Sequence, residues 1–325
     1  MKSLSLTALL LLLAAVPSLS KAEEVVNHLQ NVSVTIVAGE RGGQGSGVLV
    51  TRDVPVRAGS EKTVPVSFVW TAAHVVDSLR TTRTVTSNGK PVTIVEFEDA
   101  FVVQELVEDG RMVGEVKMAA TVIRYSDADE GHDLALLMVR KRGFAPEGAK
   151  FYLEGDMIVP LGTPLYHVGS LLGQVGANSM TTGIMSKVGR VLDVGQGAGT
   201  VFDQTSATAF PGSSGGGIFM GAGCKKANQE GLYVGMLVRG AGEQFNFIVP
   251  VRRMKAWAEE VDAVWALDEK ALVPSLKELD EQPVEDDDYK ARATLNTNDF
   301  YLYDMNYIVA LYKNNWYSAA IRFNL

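Results

Sequence analysis

An all-β fold is predicted by the length of the apolar runs and by the residues that separate them. From Val25 to about Val249 the runs are four to six residues long, mostly rich in β-branched side chains and bounded by Gly, Asp or Asn. Examples are Val34-Thr35-Ile36-Val37, Ser46-Gly47-Val48-Leu49-Val50, Val66-Ser67-Phe68-Val69-Trp70 and Leu134-Ala135-Leu136-Leu137-Met138-Val139. Hairpin signals stand at Ser87-Asn88-Gly89-Lys90 and Glu108-Asp109-Gly110-Arg111. The pattern is that of a barrel or a sandwich. A helical period occurs at about Val251–Leu267, where Met254, Trp257, Ala258, Val261 and Val264 share a face. It is read as a helix closing the β unit.

Composition narrows the function classes. The chain has 325 residues, 46% hydrophobic and 21% charged, as in ordinary globular proteins. The net charge is −8 and the basic residues are scattered, which disfavours nucleic acid as a partner. The single cysteine, Cys224, cannot form an internal disulfide. Four histidines and one cysteine leave little for a zinc site. No carboxylate cluster or glycine-rich phosphate loop points to a metal or a nucleotide, so cofactor-free chemistry is expected.

The two ends differ from the middle. Lys2 precedes an apolar run of about 13 residues, whereas a membrane span needs about 20. Pro17, several serines and the small residues Ser20 and Ala22 follow. Residues 1–22 therefore read as a cleaved signal peptide, with an uncleaved anchor as the alternative. An exported, periplasmic or extracellular protein is expected, with no integral membrane span after cleavage. Near the other end, Glu278–Asp288 holds seven acids and no bases, within a stretch 268–299 read as a solvated acidic linker. Residues 300–325 are aromatic, with Tyr301, Tyr303, Tyr307, Tyr312, Trp316 and Tyr317. Two runs could pair across Lys313-Asn314-Asn315 as a hairpin that packs on the body or docks elsewhere.

Three short motifs carry the chemistry. Trp70-Thr71-Ala72-Ala73-His74-Val75-Val76 leads from an apolar strand through small residues to a histidine. Gly131-His132-Asp133-Leu134-Ala135-Leu136-Leu137 places an acid at the start of an apolar strand. Phe210-Pro211-Gly212-Ser213-Ser214-Gly215-Gly216-Gly217 holds a serine in a glycine-rich turn, where backbone N–H groups can converge. A serine hydroxyl is a poor nucleophile at neutral pH and needs a base, for which histidine has a suitable pKa. The base needs a carboxylate to fix its tautomer and stabilise the imidazolium. His74, Asp133 and Ser214 supply those three roles. They are far apart in sequence and can meet only through tertiary folding.

These motifs resemble those of chymotrypsin-fold serine proteases, closest to the disulfide-free HtrA/Deg type. Thr71-Ala72-Ala73-His74 is similar to the family's histidine motif, Asp133-Leu134-Ala135-Leu136-Leu137 to its aspartate motif, and Pro211-Gly212-Ser213-Ser214-Gly215-Gly216 to its P-G-N-S-G-G. Thr181-Thr182-Gly183-Ile184-Met185-Ser186-Lys187-Val188-Gly189-Arg190 resembles the T-x-G-I-x-S-x-x-G-R stretch of HtrA proteases. The resemblance implies two six-stranded antiparallel β-barrels with a C-terminal helix, a protease domain over 23–267, and polypeptide substrates. It implies an oxyanion hole from the backbone of Gly212 and Ser214. It also implies a P1 pocket from Thr208, Ala209 and Phe210, from Val238, Arg239 and Gly240, and from Asn246.

Departures from the pattern carry expectations too. Ser213 stands where secreted trypsins carry an aspartate that receives the freed N-terminus, so that switch is not expected. Ser206, with Asp203 nearby, stands where the HtrA pattern has an aspartate. The 58 residues after Leu267 are too few for a PDZ domain. Thr208 stands where a trypsin pocket holds an aspartate, so small or medium apolar P1 residues are expected, because a basic P1 would be buried unpaired. Arg239 is read either as favouring an acidic P2 or P3 or as a surface residue. His132 is read as a surface residue at a strand entry, His167 as a satisfied core or rim histidine, and His28 as lying on an N-terminal amphipathic segment without a partner. Cys224 is read as a spectator. Two alternatives stand beside a serine endopeptidase: a catalytically silent protease-fold binding protein, and a latent protease gated by its C-terminal tail.

Overall fold

The computed structural model describes residues 21–282 and 284, apart from 40–42, 88–89, 109–110, 130, 194–198, 225, 227 and 241–243. Residues 1–20, most of the acidic stretch after 282 and the aromatic tail lie outside the described residues. Helix α1 (Lys21–Asn31) comes first. A first barrel follows, built from β1 (Ser33–Val37), β2 (Gln44–Pro55), β3 (Thr63–Thr71), β6 (Ala100–Glu108), β7 (Arg111–Ser126) and β8 (Leu134–Val139). Its closed order is β1-β2-β3-β8-β7-β6. The second barrel comprises β9 (Pro164–Gly169), β10 (Ser179–Asp193), β11 (Gly199–Thr205), β12 (Gly217–Met220), β13 (Tyr233–Gly240) and β14 (Asn246–Pro250). It closes in the order β10-β11-β14-β13-β12-β9.

Between β3 and β6 lie the short helix α2 (Ala73–Val76) and a separate hairpin of β4 (Arg80–Ser87) and β5 (Lys90–Phe97). Ser87 pairs with Lys90 and Glu108 with Arg111, so strands flank both Asn-Gly and Asp-Gly steps as the turn chemistry requires. All strand pairs in the barrels are antiparallel, and closure leaves neither barrel with an open edge.

The closing helix is shorter than its periodicity suggests. α3 runs from Val251 to Glu260, and a single 3-10 turn covers Val264–Ala266. Asp262 breaks the run with φ +53°. The break lets the segment turn over the first barrel. Trp257 meets Trp70 edge-on at 5.8 Å between centroids, and Trp265 meets Phe68 at 4.6 Å. Trp70 Nε1 donates to Ala266 O, and Arg52 Nε to Trp265 O. The chain thus leaves the second barrel and pins the first, which fixes the relative placement of the two. Part of the acidic stretch is also ordered. A helix α4 (Leu276–Glu281) starts with a capping box between Ser275 and Glu278, and Leu279 is buried.

His167 on β9 is fully buried, and its Nδ1 donates to Gly217 O at 3.1 Å. Burial lowers its pKa to about 4. The unfolded chain binds a proton there below about pH 6.5, and the folded chain does so only near pH 4. Stability therefore falls on acidification through that window. The free energy of urea unfolding is expected to drop by roughly 2 kcal/mol from this group between pH 7 and 4.5. The drop should be missing in His167→Gln. An identical pH slope in that variant would assign the acid sensitivity to other groups.

Candidate active site

The last six residues of β3, Val66 to Thr71, are buried, and so are Ala72 and Ala73 after them. A Cβ on Gly215 would lie 2.1 Å from Ser46 O and 2.4 Å from Thr71 Oγ1, and Gly215 has φ +87°. Only glycine fits there. His74 on α2 is then presented at the junction of the barrels, with 37% of its side chain exposed.

Asp133 is 2% exposed. Its Oδ1 and Oδ2 lie 2.9 and 3.0 Å from His74 Nδ1, and Oδ1 also accepts the His74 amide at 3.2 Å. With a carboxylate as its partner, Nδ1 carries the proton and Nε2 is left as the basic lone pair. Asp133 has φ +56°, a conformation that Asp and Asn tolerate better than other side chains. Its amide donates to Asp127 O, while the His132 amide donates to Ser126 Oγ. From the closing helix, Arg253 Nη2 donates to His132 O at 3.0 Å. Arg253 therefore braces the acid-bearing loop. Nothing in the helical pattern distinguishes that arginine from a surface charge.

Ser214 sits in the turn between β11 and β12. Every peptide around it is tied. The Ser213 amide donates to Phe210 O, Ser213 Oγ accepts from the Phe210 amide, and the Gly215 amide donates to Leu237 O. Pro211 O accepts from the Leu172 amide at 2.7 Å. A trans peptide points its N–H opposite to its carbonyl, so the Gly212 N–H is turned away from Leu172. Gly212 has φ +94°, and a Cβ there would lie 2.4 Å from Ser170 O. The amides of Gly212 and Ser214 have no acceptor among the described residues. Ser214 Oγ donates to Val238 O at 3.4 Å, and no hydrogen bond joins it to His74.

The family of trypsin-like peptidase domains matches residues 45–224, a span that contains His74, Asp133 and Ser214. The chain belongs to this family. Among solved structures, the serine endoprotease from Yersinia pestis is similar at 16% identity, with a TM-score of 0.48, covering 76% of this chain and 68% of that one. No curated protein matches the chain.

In this trypsin-like peptidase the residues expected to form the P1 pocket come from three segments of the second barrel. Thr181 Oγ1 donates to Thr208 O at 2.7 Å. Gly183 lies against the backbone of Ala207, leaving no room for a side chain. Asn246, 1% exposed, donates from Nδ2 to Ala207 O at 2.8 Å. Gly240 pairs with Asn246 between β13 and β14. Phe210 is 42% exposed. Part of the T-x-G-I-x-S-x-x-G-R resemblance thereby finds a physical basis, since Thr181 and Gly183 support the segment 207–208. Further along it, Gly189 lies in the β10 irregularity with φ +68°, and its amide donates to Asp203 Oδ1.

The expectations for His28 and His132 are corrected, and three further side chains find their places. Arg239 does not stand free beside the cleft. Its Nη2 donates to Ala128 O at 3.2 Å and lies 3.7 Å from Asp129 Oδ1, so it spans from β13 to the loop before Asp133. Asp203 is buried in an ion pair with Arg252. His28 has a partner: its Nδ1 is 2.8 Å from Glu147 Oε2. His132 is mostly buried rather than on the surface, with Nε2 3.7 Å from Glu260, and burial lowers its pKa. Cys224 packs on the core of the second barrel, with Sγ 3.2 Å from Lys226 O. Among the described residues no group of His, Cys, Asp and Glu could hold a metal ion, and no helix is long and apolar enough to cross a membrane.

Proposed function

We propose that the chain is a serine endopeptidase acting through an acyl-enzyme, with Ser214 as nucleophile, His74 as general base and Asp133 as the group that orients it. The observation that carries this reading is the turn at Pro211–Ser214. Its carbonyls are engaged elsewhere, while two amides at the serine stand without acceptors among the described residues, and His74 is already paired with the buried carboxylate of Asp133. The reading requires the Ser214 hydroxyl, which donates to Val238 O, to turn about its Cα–Cβ bond to reach His74 Nε2. Such contacts commonly tighten only when substrate binds.

The steps follow. Ser214 Oγ attacks the scissile carbonyl and its proton passes to His74 Nε2. The resulting imidazolium is stabilised by Asp133, and the oxyanion accepts hydrogen bonds from the Gly212 and Ser214 amides. His74 then gives the proton to the leaving amine as the C–N bond breaks. Water, deprotonated by His74, hydrolyses the ester. Donors fixed before the reaction need no reorganisation, which is why such sites can stabilise the transition state.

The substrate lies extended along β13, and Thr208, Ala209, Phe210, Val238, Gly240 and Asn246 surround its P1 side chain. No charged residue is among them. A peptide-library profile is expected to favour small or medium apolar P1 residues such as Ala, Val or Leu; a profile dominated by Arg or Lys would refute the assignment. The leader-like residues 1–22 support action outside the cytoplasm, and the exported chain is expected to begin at Glu23 on N-terminal sequencing. The function itself is tested by intact-mass analysis after treatment with a fluorophosphonate. One adduct on the native chain, absent from Ser214→Ala and His74→Ala, is expected. An unmodified native chain with the tail present or removed would favour the binding-protein alternative, and labelling gained only on truncation after Leu267 would favour gating by the tail.

A further inference from the structure

Ser46 on β2 of the first barrel uses every polar group it has on the second barrel or on the histidine motif. Its amide donates to Ser214 O at 2.7 Å. Its hydroxyl donates to Gly212 O at 2.7 Å and accepts the Ser170 amide at 2.7 Å. Its carbonyl accepts from Thr71 Oγ1, two residues before the Ala73–His74 step, at 2.7 Å. Ser46 is fully buried and hydrogen-bonds neither to the hydroxyl of Ser214 nor to the imidazole of His74. We infer that Ser46 is a positioning residue that aims the oxyanion donors, through the Gly212 and Ser214 carbonyls that it holds.

The geometry gives the reason. The Pro211–Gly212 peptide, which carries the donor N–H, turns about ψ of Pro211 and φ of Gly212, the latter at +94° and unrestrained by a side chain, and the N–H is held only through the carbonyls beside it. Leu172 grips the carbonyl before that N–H, and Ser46 grips the one after it. Removing either lets the plane swing, and a misplacement of about 1 Å is enough to cost about 100-fold in rate. The neighbours also demand a small side chain. A Cβ on Gly45 would lie 3.1 Å from Ser214 O, and one on Gly47 would lie 2.4 Å from Val69 Cγ1. The Gly45-Ser46-Gly47 step is therefore where the first barrel comes close enough to reach the serine turn.

The inference rests on the protease reading for its kinetic consequence, but its structural core can be measured separately. In Ser46→Ala, kcat is expected to fall about 100-fold with KM within about twofold, because the lost alignment matters in the transition state. Affinity for a peptide boronate should weaken by a similar factor. Thr35→Val is the control, since Thr35 Oγ1 is bonded to Ser170 Oγ at the same buried seam but does not touch the serine turn. It should lose a comparable amount of thermal stability and keep its kcat. Hydrogen exchange supplies the readout that needs no activity. The Leu172 and Ser213 amides, which Ser46 does not contact, should exchange at least tenfold faster in Ser46→Ala and at the native rate in Thr35→Val. If the native enzyme takes no fluorophosphonate, the protease reading fails, and the exchange rates alone decide the role of Ser46. Unchanged exchange in Ser46→Ala, or equal losses of kcat in both variants, would overturn the inference.

Discussion

Ser214→Ala is expected to lower kcat by roughly 10⁶-fold while leaving the fold intact. The hydroxyl makes one long hydrogen bond, to Val238 O, so little stability is lost with it. His74→Ala should be nearly as damaging, and the double variant no worse than either single one, because nucleophile and base act as a unit. Asp133→Asn is the most informative of the series. Asparagine accepts the positive φ at 133 about as well as aspartate, so the loop should hold. The amide cannot fix Nδ1–H as a carboxylate does, and a loss of about 10⁴-fold in kcat is expected. Turnover of a chromogenic peptide matched to the preferred P1 residue reads all four variants. Retention of more than a tenth of native kcat in Ser214→Ala would remove Ser214 as the nucleophile.

The largest effect on stability is expected at Arg252. Its guanidinium forms two hydrogen bonds to Asp203, at 2.7 and 2.8 Å, and both side chains are 2% exposed. Arg252→Met leaves the Asp203 carboxylate buried with the Gly189 amide as its remaining donor, apart from any contact beyond the pair. A loss of about 3–5 kcal/mol is expected. For a domain of this size that corresponds to a fall in Tm of about 10 °C. Arg252→Met combined with Asp203→Leu should recover much of the loss, since apolar replacement of a buried pair is often neutral. Calorimetry on the two singles and the double forms the cycle. A single variant within about 1 kcal/mol of native would mean that water reaches the pair.

The same ion pair illustrates what local pattern cannot reveal. Asp203 opens the polar run Asp203-Gln204-Thr205-Ser206 and Arg252 lies in the first turn of a helix, and neither position in the sequence departs from what a solvated charge would show. Their union depends on β14 turning directly into α3 at Pro250, which brings Arg252 beneath β11. The closing helix shows the complementary case. Its apolar face was readable from spacing, and Met254, Trp257 and Ala258 are buried. Its end was not, because the break at Asp262 is set by packing of Trp265 against Phe68, a contact between residues nearly two hundred positions apart.

The strands, the two hairpins and the three chemistry-bearing motifs were determined by the sequence alone, because each depends on neighbours within a few residues. β-branched runs favour strands, Asn-Gly and Asp-Gly close hairpins, and small residues around a histidine or serine announce close approach. The closure of each barrel, the buried pairing of His74 with Asp133, and the orientation of the Gly212 amide were decided by tertiary structure. Each of these arises where chain segments remote in sequence meet, and hydrogen bonds of this kind leave no periodic trace. Ser46 and Arg253 belong to that second class. One is a small residue between two glycines and the other a charge on a helix, and only the meeting of the two barrels turns them into supports for the site.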